Sequence, residues 1–80
     1  MEKAEILERV TSVFRDVLDN EDIILDYATT AADVEDWDSL NHIQLVVAVE
    51  REFKIRFPSQ EIRNWNSVGD MVNAVYAKVN

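Results

Sequence analysis

Apolar side chains recur at intervals of three and four residues in three separate stretches of this chain, and that spacing commits it to helices. In the first stretch Ile6, Val10, Val13, Phe14, Val17 and Leu18 share one face with Leu7 beside them, while Glu2, Glu5, Glu8, Arg9 and Asp16 fill the other. The pattern predicts an amphipathic helix over about residues 2–18, with acids in the first turn where the helix dipole favours them and a stop at Asp19-Asn20. In the last stretch Val68, Met71, Val72, Val75 and Val79 follow Ser67, a good N-cap, with Asp70 three residues on as a variant capping box. That helix is expected to run to the end of the chain. Gly69 inside it costs about 1 kcal/mol relative to Ala.

The middle stretch is the informative one. A helix is expected to start at Asp38-Ser39, both favoured N-cap types, and to run to about Phe53. Leu45, Val49 and Phe53 fall on one face with Val46 at its edge, while Leu40, Ile43 and Val47 fall on a second face well rotated from the first. A surface helix in a small domain needs only one apolar stripe. The second stripe fits either a central, fully buried helix or a surface that meets a partner or ligand.

Residues 19–37 show no period and read as a long loop with at most one short helical turn, and a loop of that length in a small domain is usually functional or disordered. Its Ile23, Ile24, Leu25, Tyr27 and Val34 suggest that it is pinned to the core. Residues 54–57 alternate and read as an extended connector whose Ile55 and Phe57 plug the core, after which Pro58 suits a first helical turn and residues 59–63 make a short helix. The expected fold is all-α, a single domain over residues 1–80 with three main helices and one short one.

Composition narrows the function. The chain has 80 residues, no Cys, one His (His42), and 16 acidic against 8 basic side chains. Without Cys there is no disulfide framework, thiolate nucleophile or Cys zinc site, and one His excludes a multi-His metal site. No metal site is expected. The net charge of −8 argues against nucleic acid, which needs clustered Lys and Arg. The longest apolar run, residues 45–49, is far short of the roughly 20 residues that span a bilayer. With no leader pattern, the expectation is a cytoplasmic monomer. The acidity is uneven: residues 1–38 hold 12 acids and 3 bases, whereas residues 39–80 hold 4 acids and 5 bases.

No catalytic set is visible. Ser39 and His42 lie three residues apart, without an oxyanion hole or orienting triad. The carboxylates of residues 33–38 lack the Gly and distal Glu of a calcium loop, which excludes an EF-hand and leaves only loose divalent-ion binding open there. His42 reads as a half-exposed helix residue. Ser39 is different in kind, because a hydroxyl at a helix N-terminus sits beside unpaired backbone N–H groups and the positive end of the dipole, a ready place for a phosphate. Taken singly, such a Ser is more often just an N-cap.

Residues 33–57 read Asp-Val-Glu-Asp-Trp-Asp-Ser-Leu-Asn-His-Ile-Gln-Leu-Val-Val-Ala-Val-Glu-Arg-Glu-Phe-Lys-Ile-Arg-Phe and are followed by Pro58. This segment resembles the acyl carrier protein family in its Asp-Ser-Leu helix start, its aliphatic helix closed by Glu-x-Glu-Phe, and its short Ile-x-Phe-Pro connector. Residues 66–72 resemble the family's last-helix start. The resemblance implies a four-helix carrier rather than an enzyme, with 4′-phosphopantetheine attached to Ser39 by a phosphopantetheinyl transferase and acyl groups carried on the arm as thioesters. It implies that Asp38 orients the transferase or its metal, that Leu40, Ile43 and Val47 dock partners, and that Trp65 stands where a smaller aliphatic residue usually lines the acyl cleft. Acyl-loading, acyl-transfer or condensing enzymes would be its partners.

Three departures mark the chain. Asn41, His42 and Gln44 are uncharged where the family is commonly acidic, Asp36 stands where Gly is frequent, and Arg51, Lys54, Arg56 and Arg63 add positive charge nearby. They point to a specialised lipid, polyketide or secondary-metabolite pathway rather than housekeeping fatty-acid synthesis. Two alternatives stay open: an aminoacyl or peptidyl carrier, and a helical interaction module with no prosthetic group.

Overall fold

The computed structural model describes residues 1–79, so the expected run of the last helix to the end of the chain falls, at Asn80, outside the described residues. Four helices form: α1 (Lys3–Val17), α2 (Ser39–Phe53), the short α3 (Ser59–Arg63) and α4 (Val68–Val79). The described residues contain no strand. A single 3₁₀ turn, Ala31–Asp33, interrupts the long first loop. The expected all-α architecture, with three long helices and one short, is the observed one.

The core follows from the three stripes. Ile6, Val10 and Phe14 of α1, Leu45 and Val49 of α2, and Val68, Val72 and Val75 of α4 have no exposed surface. Burying a side chain of this size is worth about 1.5–3 kcal/mol, so these residues set where the helices meet. Helix α1 packs against both α2 and α4. Phe57 of the connector is also buried, and Ile55 packs beside it in part. The Phe57 N–H donates to the Glu50 carboxylate at 2.8 Å, which ties the connector back to α2.

The long loop is fastened at both ends of its span. Arg15 Nε donates to the Ile23 carbonyl at 2.9 Å, while Ile23 and Leu25 drop into the core. Farther along, the carbonyls of Tyr27 and Thr29 accept from the N–H groups of Gly69 (2.9 Å) and Val68 (2.8 Å), which open α4 and have no partner within the helix. Gly69 is needed for this contact, because a Cβ there would lie 2.7 Å from the Tyr27 carbonyl oxygen. Its loss of helix propensity is therefore the consequence of a close backbone approach.

The N-terminus of α4 has the expected Ser67 cap, with one alteration. The Asp70 N–H lies 3.4 Å from Ser67 Oγ, but the Asp70 carboxylate reaches back to the Asn66 N–H at 2.8 Å rather than to Ser67. Among the described residues three non-glycine residues have left-handed backbones, Asp19 (φ 50°), Asp36 (φ 71°) and Lys54 (φ 57°). Asp19 and Lys54 each follow a long helix, where that conformation ends the helix. Asp36 lies just before α2, and its conformation explains why Gly would suit that position.

Candidate cofactor-attachment site

The start of α2 resolves which of two candidate caps acts as one. Asp38 is the N-cap: its backbone is extended (φ −110°, ψ −175°), its Oδ1 accepts the Asn41 N–H at 2.9 Å, and its carbonyl accepts the His42 N–H at 2.8 Å. Ser39 is consequently the first residue of the helix, and it is exposed. Its hydroxyl makes no hydrogen bond to the described residues, and the N–H groups of Ser39 and Leu40 likewise have no partner among them. A free hydroxyl therefore stands beside two free backbone donors at the positive end of a 15-residue helix.

The loop leading into this point is held by α2 itself. Asn41 Nδ2 donates to the Asp36 carbonyl at 2.7 Å, and the Asp38 N–H reaches the same oxygen at 3.0 Å. Asp36 stays left-handed under this clamp. The uncharged Asn41, a departure noted in the sequence, thus has a structural task.

Beside Ser39 opens a groove of about 460 Å³, walled chiefly by Trp37, His42, Ile62, Arg63 and Trp65. Its aromatic residues form a continuous line from the core. Phe14 meets Trp37 edge to face at 4.9 Å, Trp37 lies edge to edge with His42, nearly parallel with centroids 6.1 Å apart, His42 meets Trp65 at 6.5 Å, and Trp65 meets Phe57 at 4.9 Å. Trp37 Nε1 donates to His42 Nδ1 at 3.0 Å. The imidazole is then neutral with its proton on Nε2, because a proton on Nδ1 would oppose the indole N–H. Burial lowers the His42 pKa below 6.5, in the same direction.

Ser39, Asp38 and Trp65 meet in this groove. Leu40, Ile43 and Val47 do not line it. They stay exposed at 70%, 64% and 39%, whereas Leu45, Val46, Val49 and Phe53 are buried. Of the two explanations for a double-striped helix, the fully buried helix is excluded. Trp37, His42, Ile62 and Arg63 were not recognised as groove residues from sequence. The only trace of them was the spacing of His42, one helical turn after Ser39.

Among the described residues no group of three or more His, Asp or Glu side chains could hold a metal ion, and no helix is long and apolar enough to cross a membrane.

The site belongs to a small helical protein that presents an exposed serine hydroxyl at a helix start. Comparison with known proteins agrees. Residues 8–75 match the family model described as the phosphopantetheine attachment site. The acyl carrier protein of Thermosynechococcus vestitus is 33% identical over 99% of this chain and 98% of its own, and that of Clostridium acetobutylicum is 32% identical over 90% and 94%. The solution structure of the holo acyl carrier protein from Geobacter metallireducens superposes with a TM-score of 0.87 at 38% identity, covering 92% of this chain and 85% of that one. The chain belongs to the acyl carrier protein family, whose prosthetic group is a covalently attached 4′-phosphopantetheine.

Proposed function

We propose that Ser39 is the attachment point and that the chain carries acyl groups as thioesters on the arm. The observation that supports this most is the division of labour at the start of α2, where Asp38 caps the helix and leaves the Ser39 hydroxyl exposed and unbonded. The residues fit a phosphodiester, since the free N–H groups of Ser39 and Leu40 can donate to its oxygens and the helix dipole favours its charge. On modification by a phosphopantetheinyl transferase, the Ser39 oxygen bonds to phosphorus, the bond to the adenosine bisphosphate of coenzyme A breaks, and the hydroxyl proton passes to the transferase. When bound, the arm supplies the thiol that the sequence lacks. Asp38 keeps its carboxylate at the entrance, where it can orient the transferase or its metal. The protein itself supplies tethering, holding cargo at high effective concentration near successive active sites.

The partners are the transferase and acyl-loading, acyl-transfer or condensing enzymes. Leu40, Ile43 and Val47 are the docking stripe, and Trp65 narrows the groove that receives the cargo. A specialised pathway suits this surface better than housekeeping fatty-acid synthesis, because α2 carries the uncharged Asn41 and Gln44 just after Ser39 and the exposed Arg51 farther on, with the exposed Lys54 as its C-cap.

Incubation with coenzyme A and a broad-specificity phosphopantetheinyl transferase, followed by intact-mass measurement, tests the attachment. Native protein gains one phosphopantetheine and Ser39→Ala gains none. An unmodified native chain would return the protein to the class of helical interaction modules. Efficient turnover of the loaded protein by a housekeeping ketosynthase would count against the specialised pathway.

A further inference from the structure

The charges that flank the docking stripe change sign along α2. At the Ser39 end, Glu35, Asp36 and Asp38 are exposed and outnumber the one cation beside the groove there, Arg63. At the far end, about 18–22 Å along the helix axis at Arg51 and Lys54, these two and Arg56 of the connector are exposed. These cations surround a shallow depression of about 590 Å³ with Val47 and Ile55 on its apolar side. None of the three forms an ion pair among the described residues.

Neither acid in the second half of α2 forms an ion pair with these cations. Glu50 borders the depression, but its carboxylate accepts the Phe57 N–H at 2.8 Å. Glu52 pairs with Arg9 of α1 at 2.9 Å. Glu50 keeps its charge at the rim, so three cations face one carboxylate there, and the depression is net positive although the whole chain carries −8. Complementing the negative end of the helix dipole would account for Arg51 and Lys54. It does not account for Arg56, which lies beyond the helix.

Resting on the carrier reading above, we infer that the stripe docks an enzyme with a bipolar face: an apolar trough for Leu40, Ile43 and Val47, cations beside the tunnel that receives the arm, and carboxylates about 18–22 Å from that tunnel. Such a face matches both ends of α2 and fixes the docking direction, because reversal would set like charges together. A partner that is cationic throughout meets repulsion at Arg51, Lys54 and Arg56.

The test loads Ser39 with a pantetheine analogue ending in a chloroacetamide. The active-site cysteine thiolate of a ketosynthase attacks its carbon as chloride leaves, so cross-linking reports docking. Two partners are compared: a ketosynthase whose docking face is lined by Lys and Arg, and the same enzyme with the cations farthest from its tunnel mouth replaced by Glu. The native carrier should react at least tenfold faster with the Glu-bearing enzyme at low salt, and the gap should shrink toward 1 M salt, where screening acts within about 3 Å. R51E/K54E/R56E should reverse the preference, and R51Q/K54Q/R56Q, which adds no repulsion within the carrier, should abolish it. Faster reaction of the native carrier with the cationic enzyme, equal rates with both, or a preference unchanged in the Gln variant would overturn the inference. A loss of loading at Ser39 itself would instead be a failure of the carrier reading.

Discussion

The two apolar faces of α2 are built from the same residue types and meet opposite fates. Leu45 and Val49 are fully buried, while Leu40 and Ile43 on the same helix stay mostly exposed. Hydrophobicity alone does not separate them. The difference lies in what the rest of the chain can cover: α1 packs on the inner face, while no described residue closes over the outer one. The inner face holds the fold, and the outer face is left for another molecule.

Substitutions can break or sharpen that contrast. Leu45→Ala should cost about 2–5 kcal/mol, because it leaves a cavity in a fully buried site. Ile43→Ala on the outer face should stay within about 0.5 kcal/mol. Urea unfolding of the two variants measures the difference, and similar costs would mean that the outer stripe is also structural.

Gly69→Ala comes next. The added carbon would meet the Tyr27 carbonyl at 2.7 Å, so the loop must yield. Overpacking of about 1–3 kcal/mol is offset in part by about 1 kcal/mol of helix propensity, leaving a net loss of about 0–2 kcal/mol. Hydrogen exchange at Val68 and Gly69 should show the two loop bonds weakened.

At the start of α2 the contrast is between neighbours. Asp38→Ala removes a cap and should cost about 1 kcal/mol, whereas Ser39→Ala, whose hydroxyl caps nothing, should change stability by less than about 0.5 kcal/mol. Thermal unfolding of the pair checks this. A larger loss in the Ser39 variant would show that its hydroxyl serves the fold.

The smallest effect is a pH dependence. His42 has a folded pKa lowered by burial, so the native state binds its proton less readily than the unfolded chain does. Its contribution is complete above the ordinary value of 6.5 and is lost as pH falls through the lowered folded value. Protonation must also break the bond from Trp37. Tryptophan fluorescence should change across that acidic window in native protein and not in His42→Gln.

The three long helices were legible because each carries a periodic stripe. The outer stripe of α2 was legible too, though its exposure was not, since spacing records rotation around a helix and not what lies opposite. The attachment of the long loop to α4 was hidden because it uses the Tyr27 and Thr29 carbonyls, and backbone groups leave no mark on a sequence. Gly69 was the sole trace, and it first read as a penalty. The line from Trp37 through His42 to Trp65 joins a loop, a helix and a later turn, and no local pattern records such a meeting. Asp38 and Ser39 were both plausible caps by type, and only the backbone geometry assigned the task to Asp38.

The most direct measurement is fragmentation of the modified protein to locate the added group. The chain offers Thr11, Ser12, Thr29, Thr30, Ser39, Ser59 and Ser67 as hydroxyl acceptors besides its two Tyr residues. Phosphopantetheine found on Ser39 and nowhere else is the result expected from a hydroxyl left free by its capping neighbour. Its appearance on Ser59 or Ser67, or on no residue at all, would contradict the account.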